Sequence, residues 1–377
     1  MTSHKVLLGK YEVGEIIGQG TFGEVRKATH LDTGQNIAIK FEKSANTHQR
    51  LLFNESEALS NLQGAVGIPK LYAFGTQEEC DFMVTELLGR NLLVLFKDCG
   101  KCFGLETVAK IACQAVDRIE HIHSRGYLHR DIKPENLLVG CTDKDLIYIT
   151  DFGLAKKYVN LEFGMHIPFK QDKSFAGTLT YASLNAHLGL QQSRRDDLQS
   201  LFFVLLFFIK GKLLWQGAVQ GKGIMRKILL SPAELFQGCP RQFEQAVVYI
   251  RSLQFEERPD YRYIKSLFAA WSQSSVVLDW LQTSDHHRRK RALTTAHIRS
   301  FPRKTFLSTQ ISSLKLRRSA TNRQSSLTNT TDSTAQPKAV RFTLPCDSLS
   351  DTDSEGTVKE VHLPRIDRGI LEARRHC

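Results

Sequence analysis

The first hundred positions consist mainly of short segments with alternating hydrophobic and polar residues. A period of two is typical of half-buried β-strands. Five such segments predict strands at residues 11–17, 23–30, 35–42, 70–74 and 82–87. A helical period appears at residues 48–62. Beyond residue 105 the patterns lengthen and predict helices at 107–125 and 196–209, the second so apolar that it should be buried on most sides. The chain thus predicts an α+β fold with two lobes, a small β-rich N-lobe and a larger helical C-lobe.

The regular patterning predicts one domain at residues 9–282, with an N-lobe of about 9–88 and a C-lobe of about 89–282. Residues 283–377 differ from it in composition. Their 286–345 stretch holds 18 Ser and Thr residues, 13 Lys and Arg residues and one acid, Asp332. This stretch carries a charge of +12, which equals the net charge of the whole chain. We expect a basic tail that is mostly disordered, because it has few large apolar residues and no regular period.

The overall composition fits a folded intracellular protein rather than a membrane or secreted one. With 377 residues, 41% of them hydrophobic, the chain can bury a substantial core. Its longest apolar run, Leu201–Ile209, has nine residues, whereas a membrane-spanning helix needs about 20. The N-terminus lacks the apolar stretch of a secretory signal, and eight irregularly spaced cysteines fit reduced thiols. We therefore expect a location in the cytoplasm, the nucleus or both.

A glycine-rich motif lies between the first two predicted strands. It comprises Gly18, Gln19, Gly20, Thr21, Phe22 and Gly23, and Val25 follows it. Dinucleotide-binding folds use the same glycine spacing, but they require a helix after the glycines. Here a strand follows, so the glycines form the turn of a hairpin. Such a tip can lie over phosphate groups and offer them backbone N–H groups, although an ordinary glycine-rich hairpin would have the same sequence.

A single lysine, Lys40, ends the strand pattern that follows. Most lysines on strands are solvated; the alternative is a point charge for the α- and β-phosphates of a nucleotide, held by a carboxylate from the next helix. Glu55 has the spacing of such a partner, and Glu57 is the second candidate. Either glutamate could equally be an ordinary surface residue.

The most specific motif lies in the middle of the chain. It is H-R-D-I-K-P-E-N at residues 129–136, followed by D-F-G at residues 151–153. Together with the glycine-rich hairpin and Lys40, this order and spacing resemble the full signature set of the protein kinases. The resemblance implies that Asp131 accepts the proton of a substrate hydroxyl and that Lys133 steadies the transferred γ-phosphate of ATP. It also implies that Asn136 and Asp151 are oxygen ligands of Mg²⁺.

Further residues narrow the resemblance to one group of protein kinases. Most kinases end the activation segment with Ala-Pro-Glu, whereas this chain has Ser183-Leu-Asn185, followed by R-R-D-D-L at residues 194–198. These residues closely resemble the casein kinase I family. Four other segments agree with that family, at residues 62–69, 166–169, 214–217 and 257–261. The resemblance covers roughly residues 9–282 and does not include the tail.

The resemblance to casein kinase I implies a Ser/Thr kinase that is active without phosphorylation of its activation segment. Its substrates would carry an acidic or phosphorylated residue about three positions before the target. The resemblance also implies an adenine site with four apolar walls, Ile17, Val25, Ala38 and Leu138. Backbone groups of Glu86 and Leu88, in the hinge between the lobes, would pair with the base.

Three positions depart from the family pattern, and one of them, Leu214 in place of a proline, has no functional implication. Thr180 stands where the family has an arginine that helps to bind a priming phosphate. The basic partner of that arginine appears here as Arg226, and Arg194 and Arg195 are also present. Loss of one arginine removes a charge-assisted contact, so we expect a weaker dependence on primed substrates. Thr85, next to the hinge, is smaller than the methionine usual in the family and would leave a wider back pocket.

Other signals have less specific interpretations. Cys99 and Cys102 form a C-x-x-C without further ligand residues, and two incidental thiols explain it better than zinc does. The basic run at residues 288–291 fits a solvated linker, a nuclear localisation signal or an anionic-surface contact. The tail does not interleave aromatic and basic residues, so sequence-specific nucleic-acid binding is not supported. We expect a monomer whose partners are protein substrates.

The tail contains Ser350 and Ser354, each with an acidic residue three positions earlier. This is the substrate pattern implied by the resemblance, so we predict autophosphorylation there and inhibition by the phosphorylated tail; an acidic patch without a regulatory role is the alternative. For the whole chain, the alternative to an active enzyme is a catalytically weak kinase-fold scaffold that acts through its basic tail. Such scaffolds usually lack one of the residues corresponding to Lys40, Asp131 and Asp151, so their presence favours the enzyme.

Overall fold

The computed structural model describes residues 5–20, 23–43, 51–77, 80–217, 222–273 and 275–282. Its strands are β1 (Lys5–Leu7), β2 (Tyr11–Gln19), β3 (Gly23–His30), β4 (Asn36–Lys43), β5 (Leu71–Gln77), β6 (Cys80–Glu86), β7 (Tyr127–Leu128), β8 (Leu137–Val139), β9 (Ile147–Ile149), β10 (Lys156–Lys157), β11 (Val159–Asn160) and β12 (Met165–His166). Its helices are α1 (Leu51–Asn61), α2 (Leu92–Asp98), α3 (Leu105–Ser124), α4 (Leu184–His187), α5 (Arg194–Lys210), α6 (Lys222–Leu229), α7 (Pro232–Leu235), α8 (Arg241–Ser252) and α9 (Tyr261–Ser266). Single 3₁₀ turns cover Pro134–Asn136 and Asp279–Leu281.

The N-lobe is a curled antiparallel sheet in which β1 to β6 lie in the order β1-β2-β3-β4-β6-β5. Side chains alternate between the two faces of a sheet. Ile37 and Ile39 of β4 and Phe82 and Val84 of β6 therefore share one face, where they are buried in a common apolar cluster. Lys40, at an alternate position of β4, lies on the opposite face, which carries the candidate site.

Helix α1 packs against β5 and β6 and carries a buried carboxylate. Leu52 and Leu59 are almost fully buried, and Glu55 on the same side of the helix is also buried. The Glu42 carboxylate of β4 accepts a hydrogen bond from the backbone N–H of Leu52 at 2.7 Å. A carboxylate is favourable there because a helix N-terminus carries unpaired N–H groups. This bond ties α1 to the sheet and so helps to fix the position of Glu55.

The C-lobe is helical and is built around α5. Every residue from Leu198 to Ile209 is buried. In the first turn of α5 the backbone N–H of Ser193 donates to the Asp196 carboxylate at 2.7 Å. The helix ends at Gly211, whose φ of +76° is a conformation that favours glycine. Helix α3 packs along α5, and this pair forms the apolar base of the lobe.

The strands and helices predicted from the sequence are all confirmed, with ends shifted by a few residues, and so is the arrangement of a β-rich lobe followed by a helical one. The short strands β7 to β12 were not predicted, because segments of two or three residues are too short to display a period. Within the described ranges, no helix has both the length and the apolar character needed to cross a membrane.

Some sequence predictions concern positions outside the described residues. They are Thr21 and Phe22 in the glycine motif, the basic run at residues 288–291, the disorder of the tail, and the tail serines Ser350 and Ser354. These predictions stay predictions.

Candidate active site

The glycine motif lies at the turn between β2 and β3. Gly18 and Gln19 end β2 opposite Val25 and Glu24 of β3. The register places a hairpin, rather than the strand–turn–helix of a dinucleotide site, around the glycines. The sequence expectation of a hairpin is therefore confirmed.

The glycines of the hairpin are needed for different reasons. A Cβ at Gly23 would lie 1.8 Å from the backbone oxygen of Phe41, so close packing against β4 requires glycine there. Among the described residues other than its own chain neighbours, a Cβ at Gly18 or Gly20 would come no closer than 3.7 Å to any atom. Packing against the described residues therefore does not explain these two glycines, and they leave space beside the hairpin that a ligand could occupy.

Lys40 is paired with Glu55, the first of its two candidate partners. Its Nζ lies 2.6 Å from Glu55 Oε2 and 3.5 Å from Asp151 Oδ1. Glu57, the second candidate, contacts Lys157 at 2.7 Å instead. Burial alone would lower the pKa of Lys40, but the Glu55 and Asp151 carboxylates outweigh burial and raise that pKa above its ordinary value. Lys40 is therefore held as a cation between helix α1 and the D-F-G segment.

Both carboxylate oxygens of Asp131 are engaged by neighbouring side chains. Thr178 Oγ1 donates to Oδ1 at 2.7 Å, and Lys133 Nζ donates to Oδ2 at 2.6 Å. The Asn136 side-chain amide donates to the backbone carbonyl of Asp131 at 3.0 Å. Asp131 itself is buried. A carboxylate that is oriented in this way is suited to accept a proton from a hydroxyl placed beside it.

The backbone of the catalytic loop, residues 129–136, is fixed by Asp197 of α5. Its two oxygens accept hydrogen bonds from the backbone N–H groups of His129 and Arg130, each at 2.8 Å. Its Oδ2 also lies 2.9 Å from His123 Nε2. Burial raises the pKa of Asp197, but the contacts with His123 and the His129 amide outweigh burial, so that the pKa lies below its ordinary value. Asp197 is therefore a buried anion that anchors the loop.

Asn136 and Asp151 form a donor set that fits a divalent cation. The backbone N–H of Thr150 donates to the Asn136 carbonyl at 3.0 Å, which places the two segments side by side. The Asn136 amide nitrogen donates to Asp131, so its amide oxygen is the potential metal ligand. Burial raises the pKa of Asp151, but Lys40 and Lys133 outweigh it, so the carboxylate stays ionised. An amide oxygen and a carboxylate are ligands that Mg²⁺ prefers.

The residues expected to surround an adenine base lie on four strands. Ile17 is on β2, Val25 on β3, Ala38 on β4 and Leu138 on β8. Ile17 is 47% exposed, so part of its apolar side chain is uncovered beside the glycine hairpin. An apolar ligand face placed there would cover it.

The hinge follows β6, and its contacts restrict how a base could pair with it. The backbone N–H of Glu86 donates to the Lys70 carbonyl at 2.9 Å, so only the carbonyl of Glu86 could pair with a base. The Glu86 side chain accepts from Tyr148 OH at 3.1 Å, and the Gly89 N–H donates to the Val139 carbonyl at 2.8 Å. These bonds attach the hinge to β8 and β9 of the C-lobe, and Leu138 lies on β8.

Cationic side chains lie next to the catalytic loop. Arg130, Lys156 and Lys173 line a cavity of about 250 Å³. Burial lowers the pKa of Lys156, and the nearby charges of Arg130 and Lys173 lower it further. Clustered like charges of this kind favour the binding of an anion.

Two arginines near this region are occupied by other contacts. The Arg194 guanidinium donates to the Glu256 backbone carbonyl, and Arg195 donates to the Leu253 carbonyl at 2.5 Å. Their side chains therefore tie α5 to the segment after α8. Arg226 of α6, by contrast, is exposed.

Two residues that position the site were not identified from the sequence. Asp197 stands in the R-R-D-D-L motif, so a signal was present, but the motif alone does not say which aspartate contacts the catalytic loop. Thr178 was not singled out, because a threonine in an irregular segment has many ordinary explanations. Its contact with Asp131 depends entirely on how the segment folds back.

Comparison with known protein families agrees with this geometry. The family model described as "Protein kinase domain" matches residues 11–293, which is more than half of the chain. The match includes the glycine hairpin, the Lys40–Glu55 pair, the catalytic loop and the D-F-G segment.

Proposed function

Because the chain belongs to the protein kinase family, we propose that it is a serine/threonine kinase that transfers the γ-phosphate of ATP to acidic protein substrates. Its catalytic unit would be residues 9–282, with lobes of about 9–88 and 89–282, followed by a tail at 283–377. The observation that carries the proposal is the orientation of Asp131. Its carboxylate is buried and contacts Thr178 and Lys133 at hydrogen-bond distance.

The proposed roles follow from charge and position. Asp131 would orient the substrate hydroxyl and accept its proton, and Lys133, 2.6 Å from the same carboxylate, would stabilise negative charge on the transferred group. Lys40, fixed by Glu55, would contact the α- and β-phosphates. A bound Mg²⁺ would be held by Asn136 and Asp151 and would supply positive charge beside the phosphates. Because phosphoryl transfer asks little covalent chemistry of a protein, positioning and electrostatics would account for most of the rate.

The nucleotide would lie under the glycine hairpin. The hairpin residues proposed to contact it are Gly18, Gln19, Gly20, Thr21, Phe22 and Gly23. The walls of the base site would be Ile17, Val25, Ala38 and Leu138. The carbonyl of Glu86 and a backbone group of Leu88 would pair with adenine, since the Glu86 amide is already bonded to Lys70.

The proposed preference for acidic substrates rests on the resemblance to casein kinase I and on the cations near the catalytic loop. Arg130, Lys156 and Lys173 share one cavity, and Arg226 is exposed. Thr180 lacks the charge that the family usually has there. We therefore propose that a priming phosphate helps binding less than is normal in that family. Rates on one peptide with and without a phosphoserine three positions before the target test this, and a large preference for the phosphorylated peptide would contradict it.

The direct test is transfer of radiolabelled phosphate from ATP to casein in the presence of Mg²⁺, followed by identification of the labelled amino acid. Asp131→Asn should abolish transfer by the full chain because it removes the proton acceptor. Asp32→Asn is a matched control, since Asp32 is 78% exposed and lies in the turn between β3 and β4, at the end of that strand pair opposite to Gly23. Label on serine and threonine that is lost only in Asp131→Asn supports the proposal. Absence of transfer by the wild type, or label on tyrosine, contradicts it, and the former favours the scaffold alternative.

A further inference from the structure

Lys227 of α6 is a buried lysine in a cage of uncharged acceptors. Its side chain is 1% exposed. The ammonium donates to the backbone carbonyls of Leu179, Thr180 and Ala182 at 3.3, 3.1 and 2.5 Å. It also lies 3.2 Å from the Nε2 atom of His187. The ammonium has three N–H donors, and the three carbonyl oxygens satisfy them.

Aromatic rings complete the cage. The Lys227 ammonium lies 4.5 Å from the ring centre of Phe203 and 5.1 Å from that of Trp215. Burial lowers the pKa of Lys227 well below its ordinary value, and burial together with Lys227 lowers the pKa of His187 to about 3. Removing an amine from water is unfavourable unless its hydrogen bonds are replaced. The position of Lys227 thus depends on the carbonyls that turn toward it.

Those carbonyls belong to one short segment that leads away from the catalytic loop. The segment, residues 179–182, directly follows Thr178, whose hydroxyl donates to Asp131. Trp215 Nε1 also donates to the carbonyl of Thr180, at 2.8 Å. The carbonyl groups of this segment face Lys227, whereas the Leu179 side chain faces solvent and is 48% exposed. Lys227 and Trp215 therefore determine which surface this segment presents.

The segment lies within reach of any peptide that uses Asp131. A substrate hydroxyl must come within about 3 Å of the carboxylate that accepts its proton. The neighbouring residue of the peptide is then only about 3.8 Å farther along the chain. Thr178 already contacts Asp131, so a residue next to the target would lie against the adjoining segment and its exposed Leu179 side chain.

We propose that Lys227, together with Trp215, is a positioning residue for the peptide substrate: it holds the backbone of residues 179–182 so that this segment contacts the residue next to the phosphorylated one. The inference rests on the proposed kinase function. It concerns peptide binding and leaves nucleotide binding untouched, because the contacts of Lys227 and Trp215 lie outside the Lys40–Glu55 pair and the glycine hairpin.

The test compares Lys227→Met in the full chain with the wild type, using a synthetic acidic peptide with one serine. Methionine keeps the length and apolar stem of lysine but removes the donors. Loss of hydrogen bonds of this strength predicts a rise of about tenfold in the KM for the peptide. The KM for ATP should stay within about twofold. Lys210→Met is the matched control, because Lys210 also donates to a backbone carbonyl, that of Gln237, on an exposed part of the C-lobe.

A second variant keeps the inference testable if Lys227→Met does not fold. Trp215→Phe retains a ring beside Phe203 but loses the donor to Thr180, and it should raise the peptide KM about threefold without changing the ATP KM. Unchanged peptide KM in both folded variants, or in Trp215→Phe alone if the other is unfolded, overturns the inference. A parallel rise of both KM values also overturns it, because it would indicate a general structural role. Failure of the wild type to label any peptide would instead contradict the proposed kinase function.

Discussion

Asp197 offers the sharpest test of how the core of the C-lobe controls the catalytic loop. Its carboxylate, 2% exposed, accepts hydrogen bonds from the backbone N–H groups of His129 and Arg130 and contacts His123. In Asp197→Asn the volume is kept, but one oxygen is replaced by an NH₂ group. One of the two backbone N–H groups would then face a donor instead of an acceptor. The substitution therefore removes a charge-assisted bond and leaves a buried donor unpaired.

The magnitude of this change follows from those contacts. A hydrogen bond to a charged group contributes about 1.5–3 kcal/mol, and an unpaired buried donor costs about 1–3 kcal/mol. We expect the free energy of unfolding to fall by about 3–5 kcal/mol, which corresponds to roughly 10 °C in the unfolding midpoint of a domain of this size. Asp131 follows directly after the loosened backbone, and a displacement of about 1 Å can reduce a rate about a hundredfold. The kcat should therefore fall about a hundredfold while the KM for ATP changes little.

Thermal unfolding and steady-state kinetics of the full chain measure both effects. Asp117→Asn provides the control, because it makes the same chemical change at a half-exposed aspartate paired with Lys265 at 2.5 Å. Exposed ion pairs contribute about 0–1 kcal/mol, so the control should be nearly as stable and as active as the wild type. The reasoning is refuted if Asp197→Asn unfolds within about 1 kcal/mol of the wild type or keeps its kcat within threefold.

Other predictions concern the hairpin, the ion pair and the effect of pH. Gly23→Ala should lower the free energy of unfolding by roughly 2 kcal/mol, because the new Cβ would clash with the Phe41 carbonyl. Gly20→Ala should instead leave the unfolding midpoint unchanged and raise the KM for ATP. Unfolding curves and ATP titrations of both variants measure these effects. Lys40→Met should reduce kcat/KM about a hundredfold or more, while Glu57→Gln should keep the wild-type rate in the same assay. The pKa of Asp197 is depressed in the folded protein, so its contribution to stability is present above the unfolded value of about 3.9 and is lost as the pH falls below it. Melting curves from pH 7 to pH 3 should therefore show a smaller acid-induced loss in Asp197→Asn than in the wild type.

The periodicity of helix α1 could have decided between Glu55 and Glu57 as the partner of Lys40. Two residues apart on a helix differ by about 200° in direction, so only one of them can face Lys40. Leu52 and Leu59 lie three positions before and four after Glu55, on the buried side of α1. The phase of these leucines assigns Glu55 to the sheet side and Glu57 to the solvent side. The helix pattern was thus sufficient to decide between the two glutamates once its buried face was known.

Helix periodicity does not predict in the same way which of the long cationic side chains are buried and which are exposed. Lys227 and Arg226 are adjacent, yet one is fully buried and the other is exposed. Lysine is almost never fully buried, so nothing in the sequence indicates the burial of Lys227. Similarly, Arg194 and Arg195 resembled part of an anion site but are bonded to backbone carbonyls of the C-lobe. These outcomes depend on which carbonyls the irregular segments turn inward, and no periodic pattern records that.

Local sequence patterns predict the helices of the core but do not predict the backbone conformation of the site, because two residues there are strained. Arg130 and Asp151 both have φ of +67°, a region that costs a non-glycine residue about 1–2 kcal/mol. At Arg130 the Asp197 carboxylate binds the backbone N–H, and the Leu154 carbonyl accepts from the side-chain Nε at 2.7 Å. Asp197 in turn is held in place by α5, whose burial was evident from its sequence. The predictable helix thus supplies the rigidity that stabilises an unfavourable loop conformation, and the strain is located where Asp131 and Asp151 must be oriented.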